Sequence, residues 1–435
     1  MINLLLTLSL LFQSGSQSEG PSIIDGYVYP LSVLPGDSVT LYINSVEKLR
    51  NQTLTLRDLD GKEVANYKAD VRPQSPVGSA PWETGFGYKP TLKIVVPKIK
   101  SGVYVWEDKI PMIVRAANPK IIVVYSSNTE NAYCNAGGKG LYAYNSSEKK
   151  PANTVSFKRP IPLPKHSEAF LRWFQGQKYK DVGYITDADL DNYNELRKAD
   201  LLIIAGHSEY WSLEGRRNFD KFVAEGKNVL VLSGNTMWWQ VRYSKNRDQL
   251  ICYKLVPDPI KSKKLKTINW NDQQLEYPIL SSIGAEFPRA GYGSKEDKGW
   301  DGLKIITKSP LLEGTKLKPG DILSLRSDEA DGAPLQGFDS KGQPIVDLKT
   351  LGFEKVEIVG FDKTFRIQEG IATWLVIRKA KGSGIIINVA STDWCSSVGM
   401  GNSDIQKITL TMINKLLKKE EVFAPEDARG ETTQP

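Results

Sequence analysis

The chain contains few of the residues on which most metal and redox sites depend. Its 435 residues include 3 cysteines and 2 histidines. Cys134, Cys252 and Cys395 are too few for a disulfide framework, and the sequence is compatible with one bridge or with none. Zinc sites built from histidine and cysteine are disfavoured for the same reason. Any metal site would therefore need mostly oxygen ligands.

A strong charge bias is also missing, and so is an apolar run long enough to span a membrane. The apolar run from Leu4 to Phe12 is too short to cross a bilayer. The net charge of +7 arises from 57 basic and 50 acidic residues, which are spread along the chain. The basic cluster "KSKKLK" (261–266) has no interleaved aromatic residues, so we interpret it as a solvated loop. The sequence thus predicts no transmembrane segment and no nucleic-acid partner, and it leaves the oligomeric state open.

The N-terminal segment has the pattern of a cleaved secretory signal. The apolar run is followed by the small residues Ser14, Gly15 and Ser16. We therefore interpret residues 1–19 as a signal peptide and expect a secreted or periplasmic protein. No cysteine lies directly after the apolar run, where a lipid would be attached, so a lipid anchor is not supported. The alternative is a frayed N-terminal segment of a cytosolic protein.

The hydrophobic pattern divides the rest of the chain into two regions. Residues 20–117 contain short strand-like runs such as "SVTLYI" and "TLKIVV", separated by turn residues, and predict an Ig-like β-sandwich. Residues 118–420 contain apolar strands that alternate with helical segments, which predicts an α/β domain with a doubly wound, mostly parallel sheet. We interpret about 240–340 as an insertion over that sheet and 421–435 as a disordered tail.

Polar and aromatic residues follow several of the predicted strands. Ligands of open α/β sheets bind beyond the carboxyl ends of the strands, so these residues form one candidate site. A histidine beside a carboxylate can act as a general base, and aromatic side chains can bind a small molecule or a glycan. The alternative is that these residues only cap helices and close the end of the sheet. The catalytic candidates are His207, Glu209, Asn235 and Asp393, and the substrate-binding candidates are Asn128, Trp211, Trp239 and Trp394.

Six sequence blocks between Ser101 and Leu417 carry a family resemblance. In order, they read "NTENAYCNAGGKGLY", "VSFKRP", "AGHSEYWS", "LSGNTMWWQVR", "ICYK" and "STDW". Together they resemble the large (β) subunit of N,N-dimethylformamidase and relatives that share its C-terminal domain. The resemblance implies a core like that of class I glutamine amidotransferases. It also implies hydrolysis of a C–N bond of the amide type in a small molecule.

The resemblance further implies a mononuclear iron held by two tyrosines and one glutamate. It assigns Tyr210 of the "EYWS" block and Glu329 of "SDEADG" to two of these metal ligands. The block expected to hold the second tyrosine reads "GNTMWW", and Trp238 and Trp239 have no oxygen for iron. On this alignment we expect no tight iron binding unless Tyr243 or Tyr292 supplies the missing oxygen.

Two classes of function therefore stay open at this point. The first is a hydrolase that acts on an amide-type bond. The second is a non-catalytic or carbohydrate-binding protein that kept the scaffold and lost the metal site.

The signal-like N-terminus predicts export and cleavage. Mature protein should begin between Ser16 and Gly20, because the small residues that a signal peptidase requires lie just before this point. Mass spectrometry of protein from the native host would locate the N-terminus. An intact Met1 in a cytosolic fraction would contradict the prediction.

Overall fold

The structure is a computed structural model that describes residues 23–254, 256–293, 302–365 and 369–425. The segment interpreted as a signal peptide and residues 426–435 of the predicted tail lie outside the described residues. The preceding part of that tail, residues 421–425, includes Val422 and Phe423, which are buried against the main core.

Two sheets form the N-terminal part of the chain. One has the strand order β1-β3-β6, and the other has the order β2-β8-β7-β4-β5. Apolar side chains from both sheets fill one core, which includes Leu41, Leu54 and the fully buried Trp106. The strands are β1 (Ile23–Tyr29), β2 (Ser32–Val33), β3 (Ser38–Ser45), β4 (Leu49–Asp58), β5 (Glu63–Val71), β6 (Leu92–Val95), β7 (Gly102–Trp106) and β8 (Ile110–Val114).

A nine-stranded sheet forms the centre of the remaining chain. Its order is β11-β9-β12-β14-β25-β24-β23-β18-β19. Its strands are β9 (Ile121–Tyr125), β11 (Val182–Thr186), β12 (Leu201–His207), β14 (Asn228–Gly234), β18 (Gly302–Ile305), β19 (Ile322–Ser324), β23 (Lys355–Thr364), β24 (Gly370–Arg378) and β25 (Ile385–Asn388).

Shorter strands and helices surround this sheet. The further strands are β10 (Thr154–Ser156), β13 (Tyr210–Ser212), β15 (Trp239–Tyr243), β16 (Gln249–Ile251), β17 (Gly291–Tyr292), β20 (Glu329–Gly332), β21 (Leu335–Phe338) and β22 (Pro344–Val346). The helices are α1 (Pro81–Thr84), α2 (Ser127–Tyr133), α3 (Glu168–Gln175), α4 (Tyr193–Leu196), α5 (Leu213–Ala224), α6 (Leu280–Ile283), α7 (Phe287–Ala290), α8 (Leu348–Leu351), α9 (Ser397–Gly401) and α10 (Ser403–Lys418). Within the described ranges, no helix is long and apolar enough to cross a membrane.

The central sheet is covered on both faces. Side chains of α3 and α10 pack in one core cluster, and those of α5 and α6 pack in the other. Strands β9, β12 and β14 are buried along their whole length, and this burial explains why most of their residues are apolar. Helix α5 begins where the Ser212 hydroxyl accepts a hydrogen bond from the backbone N–H of Gly215 at 2.9 Å.

The prediction of a doubly wound, mostly parallel sheet is wrong, and so is the expected likeness to class I glutamine amidotransferases. Strands β11, β9, β12, β14 and β25 are parallel, but β24, β23, β18 and β19 continue the sheet in antiparallel pairs. The physical reason is the short connection from Arg378 to Ile385, which allows a hairpin but no crossover helix. Strands β18 and β19, from the segment predicted to lie over the sheet, are part of the sheet itself.

The hairpin that makes the sheet mixed predicts a sensitive glycine. A methyl group at Gly384 would overlap the backbone of Lys227, and the Gly384 N–H donates to the Val223 carbonyl at 2.8 Å. Gly384→Ala should therefore lower the free energy of unfolding by about 1–3 kcal/mol, as overpacking does. Gly401→Ala is the control, because nothing lies near its added Cβ. Urea unfolding would compare the two, and equal stability would contradict this packing.

Candidate functional site

Four of the predicted site residues meet at the carboxyl ends of the central strands. His207 ends β12, and Glu209 follows in the short link to β13. Asn235 follows β14 with a left-handed backbone (φ 48°). Glu329 begins β20, and its carbonyl accepts a hydrogen bond at 3.1 Å from the backbone N–H of Thr392, beyond β25. The strand ends thus bring together one imidazole, one amide and two carboxylates.

Glu209 is the centre of this group. It is 1% exposed. The Tyr142 hydroxyl donates to its Oε1 at 2.7 Å, and the Tyr133 hydroxyl donates to its Oε2 at 2.8 Å. Its backbone N–H donates to the Thr129 hydroxyl at 3.0 Å. Hydrogen bonds to both oxygens compensate the carboxylate for its loss of water.

His207 lies between the two carboxylates. Its Nδ1 is 3.1 Å from the Gly234 carbonyl oxygen, so Nδ1 carries a proton, because a carbonyl only accepts. Its Nε2 is 3.3 Å from Glu209 Oε2 and 3.7 Å from Glu329 Oε2. Burial alone would lower the pKa of His207. The hydrogen bond to Glu209 and the charges of both carboxylates outweigh burial and raise that pKa to about 9.

The two carboxylates have opposite protonation tendencies. Burial acts to raise the pKa of Glu209, but His207, Lys254 and the hydrogen bond from Tyr142 lower it below its ordinary value. Burial raises the pKa of Glu329, and neither His207 nor the 2.8 Å hydrogen bond from Asn235 Nδ2 offsets that effect. Glu209 is therefore suited to remain ionised, and Glu329 is suited to take up and release a proton.

Lys254 places a buried cation beside the tyrosines. Its Nζ lies 3.2 Å from the ring centroid of Tyr142 and 5.1 Å from that of Tyr210. Among the described residues, this Nζ has no hydrogen-bond partner. Burial lowers the pKa of Lys254 to about 8, and the negative charge of Glu209 counteracts this only in part. The ammonium is therefore a hydrogen-bond donor without an acceptor in the part of the chain that the structure describes.

The structure places the other predicted catalytic and polar binding residues outside this group. Asp393 Oδ2 accepts hydrogen bonds from the Asp328 N–H at 2.6 Å and the Thr392 hydroxyl at 3.1 Å, so it supports the chain beside Glu329. Asn128 Nδ2 donates to the Tyr210 carbonyl at 3.0 Å and to the Tyr243 hydroxyl at 2.8 Å. Both residues therefore support the backbone around the site.

The three predicted tryptophans have different surroundings. Trp211 and Trp394 are buried on opposite faces of the central sheet, and each indole N–H is bonded within the core. Trp239 is 9% exposed, and its ring centroid lies 5.3 Å from Lys254 Nζ. Of the three, Trp239 is the one whose ring lies beside Lys254.

Sequence reasoning missed Tyr133, Tyr142 and Lys254. The two tyrosines stand in the block "NTENAYCNAGGKGLY", which entered the sequence analysis only as one of the six blocks of the family resemblance. The available signal was the presence of two phenols in a block that carries the family resemblance. Lys254 ends the block "ICYK", so its place in the family resemblance was the available signal, although a lone lysine is usually solvated.

Comparison with known proteins identifies the family. The family model described as N,N-dimethylformamidase beta subunit-like, C-terminal, matches residues 51–406. The chain belongs to this family. The match begins within β4, so the family region includes much of the N-terminal sheets, which the sequence blocks did not indicate.

Two further comparisons add little. Comparison with curated proteins gave no match. A solved structure of a thua-like protein from Bacteroides uniformis covers 70% of this chain and 95% of its own, at 12% identity and a TM-score of 0.33. That similarity is too low to support an argument about fold or function.

The family resemblance implies two tyrosines and one glutamate as metal ligands. Tyr133, Tyr142 and Glu209 bring these residue types together. Both phenol oxygens lie within hydrogen-bond distance of this one carboxylate. Tyr210, assigned from the sequence, has a buried hydroxyl without a partner among the described residues, and Glu329 is paired with His207 and Asn235. Within the described chain, no cluster of three His, Cys, Asp or Glu residues could hold a metal ion. A metal here would therefore need the phenols.

The two histidines should titrate far apart in the metal-free protein. His207 should keep its proton at pH 7 and lose it as the pH rises through about 9. Burial and the charge of His207 lower the pKa of His166 to about 4, so His166 should stay neutral until strongly acidic pH. Ring ¹⁵N shifts would report both, and His166→Gln would assign the signals. Two titrations near 6.5, the ordinary value, would contradict these electrostatics.

Proposed function

We propose that the protein is an iron-dependent hydrolase of a C–N bond of the amide type in a small molecule. The observation that carries the proposal is the convergence of the Tyr133 and Tyr142 hydroxyls on the buried carboxylate of Glu209. These three side chains would hold the metal. Iron, when bound, would supply a Lewis acid for the amide carbonyl and a water of lowered pKa.

Glu329 is the proposed proton carrier. Water adds to the carbonyl carbon, the C–N bond breaks, and the leaving nitrogen takes up a proton. The raised pKa of Glu329 suits both uptake of the proton from water and its delivery to nitrogen. Asn235 holds this carboxylate by a 2.8 Å hydrogen bond. Glu209 keeps its negative charge throughout.

His207 and Lys254 supply positive charge on two sides of Glu209. His207 is held by its hydrogen bond to the Gly234 carbonyl, and its positive charge offsets the negative charge of Glu209. Among the described residues, the Lys254 Nζ has no hydrogen-bond partner, and its pKa is lowered to about 8, so it can donate to the developing oxyanion or to the leaving nitrogen. The proposed products are a carboxylic acid and an amine, which balances the addition of one water.

Ligand substitutions test the proposed metal site. Protein loaded with Fe(III) should show a phenolate-to-iron charge-transfer band. Tyr133→Phe and Tyr142→Phe should each weaken this band and the affinity for iron, because each removes one phenol oxygen. Tyr210→Phe is the matched control, since it removes a hydroxyl outside the proposed set. Loss of the band in Tyr210→Phe alone would contradict the proposal and assign the metal to Tyr210.

Kinetics test the proposed proton carrier. Glu329→Gln keeps the hydrogen-bonding shape but cannot carry the proton, so the rate of amine release should fall by about 100- to 10,000-fold. Tyr210→Phe should retain the rate, and the melting temperatures of both variants should stay close to wild type. Iron-loaded wild-type protein would be screened against small amides. Binding of amides or glycans without amine release would favour the non-catalytic alternative.

We also propose that the mature protein is exported. The support is the signal-like pattern of residues 1–19, and the N-terminal mass measurement described above tests it.

A further inference from the structure

Arg159 carries a fully buried charge outside the group around Glu209. It follows β10, in the block "VSFKRP", and is 0% exposed. Among the described residues, no carboxylate forms an ion pair with it. Burial lowers the pKa of its guanidinium below the ordinary value. A buried charge without a counter-ion needs strong compensation from hydrogen bonds.

All of the hydrogen bonds from Arg159 go to one stretch of chain, residues 131–139. Its Nη1 donates to the carbonyls of Ala136 at 2.9 Å and Lys139 at 2.8 Å. Its Nη2 donates to the carbonyls of Asn131 at 2.6 Å and Cys134 at 3.0 Å. Nε and Nη2 also donate to the Asn131 side-chain oxygen, at 3.1 and 2.9 Å.

These acceptors lie on both sides of the loop that joins the two tyrosines. Asn131 and Cys134 flank Tyr133 at the end of helix α2, and Lys139 precedes Tyr142 by three residues. The guanidinium therefore ties the helix end to the far side of the loop. A positive charge is also favourable near the carbonyls at the C-terminus of a helix.

The loop is folded tightly back on the helix end. The Leu141 N–H donates to the Ala132 carbonyl at 2.8 Å. A Cβ at Gly140 would lie 2.7 Å from the Cys134 carbonyl oxygen and 2.9 Å from that of Ala132. Three glycines in this loop make many other conformations accessible, so the sequence alone does not hold the two phenols together.

We propose that Arg159 is a positioning residue that holds Tyr133 and Tyr142 in place to share Glu209. This inference rests on the proposed function, because it assigns the two phenols to one metal. Arg159 itself contacts neither phenol oxygen. Its planar fork satisfies four carbonyls at once, which a lysine ammonium with three donors cannot do.

Arg216 provides a matched control for a purely structural role. It is also a fully buried arginine, and it donates to the carbonyls of Tyr277 and Pro278 and the hydroxyl of Ser282. None of these groups belongs to the site. Arg159→Lys and Arg216→Lys should therefore both lower the melting temperature, but only the first should alter the tyrosine pair.

Iron binding and hydrogen exchange together test this inference on the full chain. Arg159→Lys should bind Fe(III) about 10- to 100-fold more weakly, the range for residues that support metal ligands, and its charge-transfer band should shift. The amide of Leu141 should exchange faster than in wild type. Arg216→Lys should change none of these three readouts.

A second variant keeps the inference testable if Arg159→Lys does not fold. Gly140→Ala should open the same loop through its clash with the Cys134 and Ala132 carbonyls, and it should shift the band in the same way. If Arg159→Lys and Gly140→Ala both keep the wild-type charge-transfer band and the wild-type exchange rate of the Leu141 amide, the positioning role is overturned. If wild-type protein binds no iron, the proposed function fails, and hydrogen exchange alone then decides whether Arg159 holds the loop.

Discussion

The site depends on the ionised carboxylate of Glu209, which is buried and must be compensated by its neighbours. Two phenol hydroxyls and one imidazole surround it, and a buried lysine lies behind one phenol. Removing water from a carboxylate costs several kcal/mol unless such partners replace it. The requirement links helix α2, the loop after it, strand β12 and the segment that carries Lys254. Each of these elements contributes one group that lies near the same charge.

Two separate parts of the chain bring the carboxylates of Glu209 and Glu329 to the same imidazole. The parallel strands β12 and β14 end at one edge and deliver His207, Glu209 and Asn235 there. Glu329 comes from β20, which bridges to the chain beyond β25 through Ala330 and Ser391. The parallel half therefore supplies the carboxylate whose pKa is lowered, and the long segment before β23 supplies the carboxylate whose pKa is raised.

Part of the site could be predicted because it follows a local rule. Polar residues directly after apolar parallel strands must lie at the sheet edge, which is how His207, Glu209 and Asn235 were found. The same rule also selected Trp211 and Trp394, because residues after a strand can turn into the core as easily as toward the edge. It could not find Tyr133 and Tyr142, whose approach depends on a glycine-rich loop and on hydrogen bonds from Arg159, distant in sequence.

The sequence by itself determined the family, the apolar strands and the position of His207 and Glu209 at a strand end. These features depend on residue type and on spacing within short segments, where hydrophobic periodicity acts directly. Only the tertiary structure decided the antiparallel half of the sheet and which phenols meet Glu209. It also decided the opposite pKa shifts of Glu209 and Glu329. The physical reason is that strand direction, burial and charge proximity depend on contacts between residues far apart in the chain, which no local pattern encodes.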